Sequence, residues 1–133
     1  MSFYNNYVDY KGKIRDILIE LAHKRSYITY EDLCIKSGIY DDYIIKKEAK
    51  MPFLFKILKE VMVYEFENRR RCLTIIVFIS DKLLYPSDSF YKIAEECGVK
   101  HKDIDNKTFL TTELEEVYST WENKDFYNYF RSK

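Results

Sequence analysis

A chain of 133 residues with 47% hydrophobic and 33% charged side chains has the size and composition of one globular domain. Lys and Arg number 22, as do Asp and Glu, so no overall field draws the protein to nucleic acid or to a membrane surface. The longest apolar run, Leu73–Ile79, is far too short to span a bilayer, and the first residues lack the apolar core of a signal peptide. We therefore expect one domain, residues 1–133, in the cytoplasm.

The cysteines and histidines do not form a recognisable site. Cys34, Cys72 and Cys97 are odd in number and widely spaced, which predicts packed, reduced thiols rather than disulfides or a metal knuckle. Neither His23 nor His101 has a second ligand at metal-binding spacing. A nucleophile elbow and a phosphate-binding glycine loop are also absent from the sequence. We predict a non-enzymatic protein without metal or cofactor.

The first third of the chain predicts a helix, a short strand and a second helix. Apolar residues follow one stripe at helical spacing: Tyr10, Ile14, Ile17, Leu18 and Leu21. Tyr27–Thr29 favours an extended conformation, and Thr29 with Asp32 has the spacing of a helix N-cap. The second helix should run over residues 30–37 and end at Gly38, which tolerates the left-handed conformation of a helix terminus.

The middle of the chain predicts a long helix and a buried strand. Residues 40–50 have mixed character and favour a turn or a short helix. Pro52 suits a first helical residue, and the apolar periodicity after it predicts a helix to about Arg69. The β-branched run Leu73–Ile79 predicts a buried central strand.

The last third predicts two helices and a packed tail. A helix should open at Pro86, followed by a polar loop over residues 99–107. Thr112 and Glu115 have capping-box spacing and predict the start of the next helix. The aromatic tail, Phe126–Phe130, is expected to pack against the domain.

This order of elements indicates an α+β, mainly helical domain with a small sheet. One strand before the second helix and another after a longer third helix is the order of a winged helix. The shared periodicities predict a core formed by Ile14, Leu18, Leu21, Leu33, Leu54, Ile57, Leu58, Val61, Ile75, Val77, Phe90, Ile93 and Val117.

Two stretches carry a family resemblance. Residues 27–33 resemble the opening of small winged-helix-like bacterial proteins, and residues 73–82 with 86–91 resemble the strand-and-turn signature of a family of small bacterial and mobile-element proteins. Ser87 and Ser89 stand where that signature has turn glycines. The resemblance implies a winged-helix-like fold and an accessory role in a bacterial or phage defence or counter-defence system.

Nucleic acid is one candidate ligand. Basic residues surround both ends of the long helix, and two tyrosines, Tyr40 and Tyr43, are interleaved with them at its start. Such side chains neutralise phosphates with a salt-sensitive affinity. The candidate contacts are Lys46, Lys47, Lys50, Lys56, Lys59, Arg69, Arg70 and Arg71. Nearby acids, Glu60 among them, equally favour a solvated face with no ligand.

A protein partner or a homodimer is the alternative. Aromatic residues at both termini, including Tyr4 and Tyr7, exceed what a domain of this size is expected to bury, and aromatic side chains are enriched at the centres of interfaces. An inhibitor or adaptor would then bind through an aromatic surface without contacting DNA. The candidate interface residues are Tyr118, Trp121, Phe126, Tyr127, Tyr129 and Phe130.

Overall fold

The computed structural model describes the backbone of residues 3–133 and the side chains of residues 10–133, so Tyr4 and Tyr7 lie outside the described side chains. The structure is mainly helical, with a small sheet, as predicted. Its elements, in chain order, are α1 (Phe3–His23), β1 (Ile28–Thr29), α2 (Tyr30–Lys36), a 3₁₀ turn (Lys47–Ala49), α3 (Lys50–Glu67), a second 3₁₀ turn (Leu73–Ile76), β2 (Val77–Phe78), α4 (Asp88–Glu96), α5 (Asn106–Glu122) and α6 (Lys124–Phe130).

The two strands form a parallel pair. Ile28 lies opposite Val77 and Thr29 opposite Phe78. Thr29 also caps α2, its hydroxyl oxygen accepting a hydrogen bond from the Asp32 amide at 3.1 Å, which confirms the predicted cap. Because the carboxyl ends of parallel strands lie at one edge of a sheet, α2 and the segment after β2 start side by side.

The core lies between α1, α3, α5 and the segment that leads into β2. Eleven of the thirteen predicted core side chains are buried, while Leu21 and Ile93 are partly buried against the same cluster. α1 contacts both α3 and α5, so the first long helix holds the two halves of the chain together. Among the described residues, none of the helices combines the length and apolar character that crossing a membrane requires.

Two predicted elements were wrong in position or type. The apolar run at 73–79 forms a 3₁₀ turn and only a two-residue strand, although residues 73–78 are buried. An unbroken apolar run reports burial and leaves the backbone conformation undetermined. The helix expected from Thr112 begins at Asn106, because Asp105 accepts a hydrogen bond from the Thr108 amide at 2.7 Å and caps it earlier.

Candidate binding surface

Lys50, a predicted phosphate contact, is turned into the protein. Its Nζ donates hydrogen bonds to the carbonyl oxygens of Ile39 at 2.9 Å and Asp42 at 2.7 Å. The ammonium group therefore closes the connection between α2 and α3 from the inside. A side chain held in this way is occupied by the fold and is removed from the set of phosphate contacts.

Arg70 and Arg71 are also occupied within the protein. Arg70 Nη2 lies 2.9 Å from the buried Glu65 carboxylate, and the Arg70 side chain is 5% exposed. Arg71 pairs with Glu113 at 3.5 Å and with Glu116 at 3.4 Å. Both arginines were predicted from sequence to bind nucleic acid. Arg70 is held in the interior by Glu65, whereas the Arg71 side chain is 50% exposed and forms its ion pairs at the surface.

The other predicted basic residues are exposed but do not form one face. They are Lys46, Lys47, Lys56, Lys59 and Arg69. Lys46 and Lys47 precede α3 and Arg69 follows it, so they are separated by a helix of 18 residues, about 27 Å long. The exposed Glu48 follows Lys47 directly. A continuous basic surface free of acids is therefore not formed by these side chains.

The predicted aromatic interface at the end of the chain is largely interior. Trp121 is completely buried and Tyr127 is 9% exposed, so neither is free to contact a partner. The His23 ring stacks on Tyr127 with 3.9 Å between ring centroids, and its Nδ1 lies 2.9 Å from the Trp121 carbonyl oxygen. Phe126, Phe130 and Tyr118 are partly buried against the core, which leaves Tyr129 exposed.

A different aromatic segment is displayed to solvent. In residues 39–45, which we name the tyrosine loop, Tyr43 is 93% exposed, Tyr40 59% and Ile44 54%. Tyr40 and Tyr43 were noted in the sequence as companions of the lysines, whereas Ile44 was not singled out. Large apolar side chains held this far into solvent contribute nothing to the core and mark a surface available for binding.

The tyrosine loop is held in one shape. Ile39 and Ile45 are buried at its two ends, and Lys50 ties two of its carbonyl oxygens together. The Asp42 carboxylate accepts hydrogen bonds from the Tyr10 hydroxyl at 2.6 Å and from the Ile44 amide at 3.0 Å. The bond from Tyr10 lowers the pKa of Asp42 below its ordinary value. The exposed tyrosines therefore project from a braced loop.

A second exposed apolar segment follows β2. In residues 79–85, which we name the leucine loop, Ile79, Leu83, Leu84 and Tyr85 are each between 40% and 50% exposed. The Ile79 amide donates to the Tyr85 carbonyl oxygen at 3.0 Å, which closes the loop. Sequence reasoning missed this surface, although three successive apolar residues between polar turn residues were a readable signal.

The two loops lie at opposite ends of α2. The leucine loop begins at the sheet edge where α2 starts, and the Tyr27 hydroxyl, adjacent to β1, donates to Asp81 of that loop at 2.9 Å. The tyrosine loop follows the other end of α2, after Gly38, whose φ of 91° permits the chain to turn there. With seven residues, α2 separates them by about 10 Å.

The buried thiols and one of the larger grooves have the following surroundings. Burial raises the pKa of the Cys72 thiol to about 12 and also raises that of Cys34, so both thiols are protonated at neutral pH. A groove of about 780 Å³ beside residues 98–104 contains Lys100, which is paired with Glu95 at 3.1 Å. Within residues 10–133, no group of three His, Cys, Asp or Glu side chains is placed to hold a metal ion.

No protein-family model, curated protein or solved structure matches this chain.

Proposed function

We propose that this chain is a non-enzymatic protein-binding protein, an inhibitor or adaptor, that contacts its partner through the tyrosine loop. The observation that carries the proposal is the 93% exposure of Tyr43 on a loop that is braced at both ends. Tyrosine supplies a large contact area for the loss of few rotatable bonds and is enriched among the residues that dominate interfaces.

The hydrogen bonds that fix the tyrosine loop also favour binding of a partner. Binding usually costs free energy because loops and side chains lose conformational entropy when they become ordered. A loop that Lys50 and Asp42 already fix loses less conformational entropy on binding. Tyr43 and Ile44 are adjacent apolar anchors, and the exposed Lys46 and Lys47 stand beside them as a polar rim. Apolar anchors with a charged rim are the anatomy of a protein interface.

A winged-helix-like arrangement is part of the proposal, with the scaffold used for protein contact. The order of α1, β1, α2, α3 and β2 supports it, with the leucine loop following β2. In a DNA-reading helix-turn-helix, a turn of about three to four residues joins the two helices. Here residues 37–49 join α2 and α3 and contain the tyrosine loop, which favours a protein ligand over a helix inserted into a groove.

Nucleic acid is the second candidate, supported by Lys46 and Lys47 beside the exposed rings of Tyr40 and Tyr43. Single-stranded nucleic acid binds such surfaces by stacking bases on aromatic rings while cations follow the phosphates. The accessory role in a bacterial or phage defence or counter-defence system that the resemblance implies is compatible with either ligand.

Site-specific photocrosslinking tests the leading proposal. p-Benzoylphenylalanine replaces Tyr43 in one variant and Tyr129, exposed by 58% on α6, in the control. After irradiation in the cells that naturally make the protein, we expect nuclease-resistant protein adducts from position 43 that are absent from position 129. Equal adducts from both positions, or none from position 43, would overturn the proposal.

Titration of labelled single-stranded and duplex DNA separates the two candidates. If protein is the ligand, the wild type and the Lys46→Ala/Lys47→Ala variant bind DNA equally poorly at low salt. If nucleic acid is the ligand, binding is strong at low salt, and removing the two lysines flattens the salt dependence by about two units of the log–log slope.

A further inference from the structure

The exposed apolar side chains are concentrated around α2. Eight of the eleven large apolar side chains that are exposed in the described part of the chain belong to residues 35–44 and 79–85. Taking about 200 Å² for a fully exposed aromatic side chain, the three tyrosines alone expose roughly 400 Å², and the five Ile and Leu side chains add to this area. A stable, specific interface buries about 800 Å² on each partner, so these side chains supply a large part of the area that such an interface needs.

Acidic side chains surround the leucine-loop end of this surface. The hydrogen bond from the Tyr27 hydroxyl to Asp81 raises the pKa of Tyr27, and the nearby negative charges of Asp81 and Asp32 raise it further. Glu31 and Asp88 are exposed in the first turns of α2 and α4. The basic residue within this loop is Lys82, so acids outnumber bases at this end.

The tyrosine-loop end has the opposite charge. Lys36 is exposed at the end of α2, and Lys46 and Lys47 follow the loop. The ammonium group of Lys13 lies close to Gly38 at the start of the same loop. Asp41, Asp42 and Glu48 are the acids here, and Asp42 keeps its charge because the hydroxyl of Tyr10 that bonds it is neutral. Bases therefore outnumber acids at this end, about 10 Å from the acidic one.

We propose that the partner of this surface is a second copy of the chain, bound antiparallel across a two-fold axis near Ile35. The proposal rests on the protein-binding role proposed for this surface and narrows it, because a surface covered by a second copy serves self-association rather than the binding of an inhibitor's target. A two-fold interface places residue i of one copy against residue j of the other and repeats that contact in reverse. The basic tyrosine loop of each copy then meets the acidic leucine loop of the other, twice.

Charge reversal followed by mixing tests this arrangement. Lys46→Glu/Lys47→Glu makes both ends acidic, and Glu31→Lys/Asp88→Lys makes both ends basic. In sedimentation equilibrium, we expect the wild type to be dimeric and each reversed chain alone to dissociate at least about tenfold more readily, since like charges then face each other. An equimolar mixture of the two reversed chains regains a dimer, because opposite charges again meet at both contacts.

Two further variants complete the test. A single chain with all four reversals has its acidic and basic ends exchanged and is expected to dimerise again. Leu84→Ser, an exposed substitution that leaves the charges unchanged, weakens the dimer about tenfold without altering the circular dichroism spectrum. Raising the salt from about 0.05 M to about 0.5 M weakens the wild-type dimer several-fold.

The outcomes separate this inference from the proposed function. A monomeric wild type overturns the dimer, and so does a mixture of the reversed chains that stays monomeric. If position 43 still crosslinks a different protein in such a case, the protein-binding function stands and only the identity of the partner is refuted. A monomer that also yields no adduct from position 43 overturns both proposals.

Discussion

Residues 118–130 and the tyrosine loop are both rich in aromatic side chains, yet the fold buries most of the first segment and exposes the second. Trp121 is completely buried between α1 and α6, whereas Tyr43 is 93% exposed. The difference lies in the side chains that contact each segment. The C-terminal segment contacts a long helix that offers His23 and Arg15, while the tip of the tyrosine loop extends beyond the side chains that hold its base.

The hydrogen bonds and ion pairs that hold each segment determine whether its aromatic side chains are buried or exposed. Arg15 donates to the carbonyl oxygens of Phe130 at 3.3 Å and Arg131 at 3.1 Å, and its guanidinium also pairs with the buried Glu65. These bonds draw the C-terminal aromatic side chains inward. Lys50 and Asp42 instead fix the backbone of the tyrosine loop and leave its rings outside. One segment therefore stabilises the fold, and the other is available to a partner.

The largest expected effect is that of Trp121→Ala. Removing a completely buried indole leaves a cavity and should lower the free energy of unfolding by about 4 kcal/mol. Urea unfolding followed by circular dichroism measures it. Tyr43→Ala is the matched control and should change stability by less than about 0.5 kcal/mol. Similar losses from both variants would contradict the contrast between the two segments.

Glu65→Gln tests the charged anchor of the C-terminal segment. Glu65 is completely buried and lies 3.1 Å from Arg15 and 2.9 Å from Arg70, so the amide would leave two buried guanidinium groups without a counter-charge. We expect a loss of about 3 kcal/mol in the free energy of unfolding. The exposed Glu67→Gln should be nearly neutral in the same urea titration. A loss below about 1 kcal/mol would show that water enters and solvates the arginines.

The sequence was sufficient to predict the features that depend on local chemistry. The Thr29 cap, the turn at Gly38 and most of the core follow from hydrogen bonding and periodicity within a few residues. Residues 73–78 are buried as predicted, but only Val77–Phe78 form a strand. Residues 73–76 form a 3₁₀ turn instead, because a strand and a buried 3₁₀ turn have the same apolar composition.

The candidate surface was less predictable, because it depends on how the chain folds back on itself. Glu65 lies five residues before Arg70, and positions 42 and 39 lie eight and eleven residues before Lys50, but the sequence does not show that these oxygens turn toward the two cations. Trp121 was expected on the surface because aromatic content alone does not show what covers each ring. The Leu83-Leu84-Tyr85 run could have been recognised, since apolar residues inside a polar turn seldom serve the core.

Lys50→Met tests the brace of the tyrosine loop. The apolar side chain keeps most of the length but removes the two Lys50 hydrogen bonds. The carbonyl oxygens of Ile39 and Asp42 then keep only one backbone amide donor each, at 3.2 Å, so we expect a loss of about 1 kcal/mol. Amide hydrogen exchange should accelerate within residues 39–45. Lys47→Met, which changes an exposed side chain, is the control. Unchanged exchange in the loop would show that the buried ends suffice to hold it.

The smallest effect concerns the pH dependence contributed by Asp42. The hydrogen bond from Tyr10 lowers the pKa of this carboxyl in the folded protein, so its contribution to stability is present above the unfolded pKa of about 3.9 and is lost as pH falls through the lowered value. The stability difference between the wild type and Asp42→Asn should therefore be constant near neutral pH and shrink below about pH 4. Thermal unfolding of both proteins at several pH values measures that difference. Because both proteins contain the same other carboxylates, the contributions of those groups cancel in the difference. A difference that grows as pH falls has the opposite sign and would mean that the charged form of Asp42 is disfavoured in the loop.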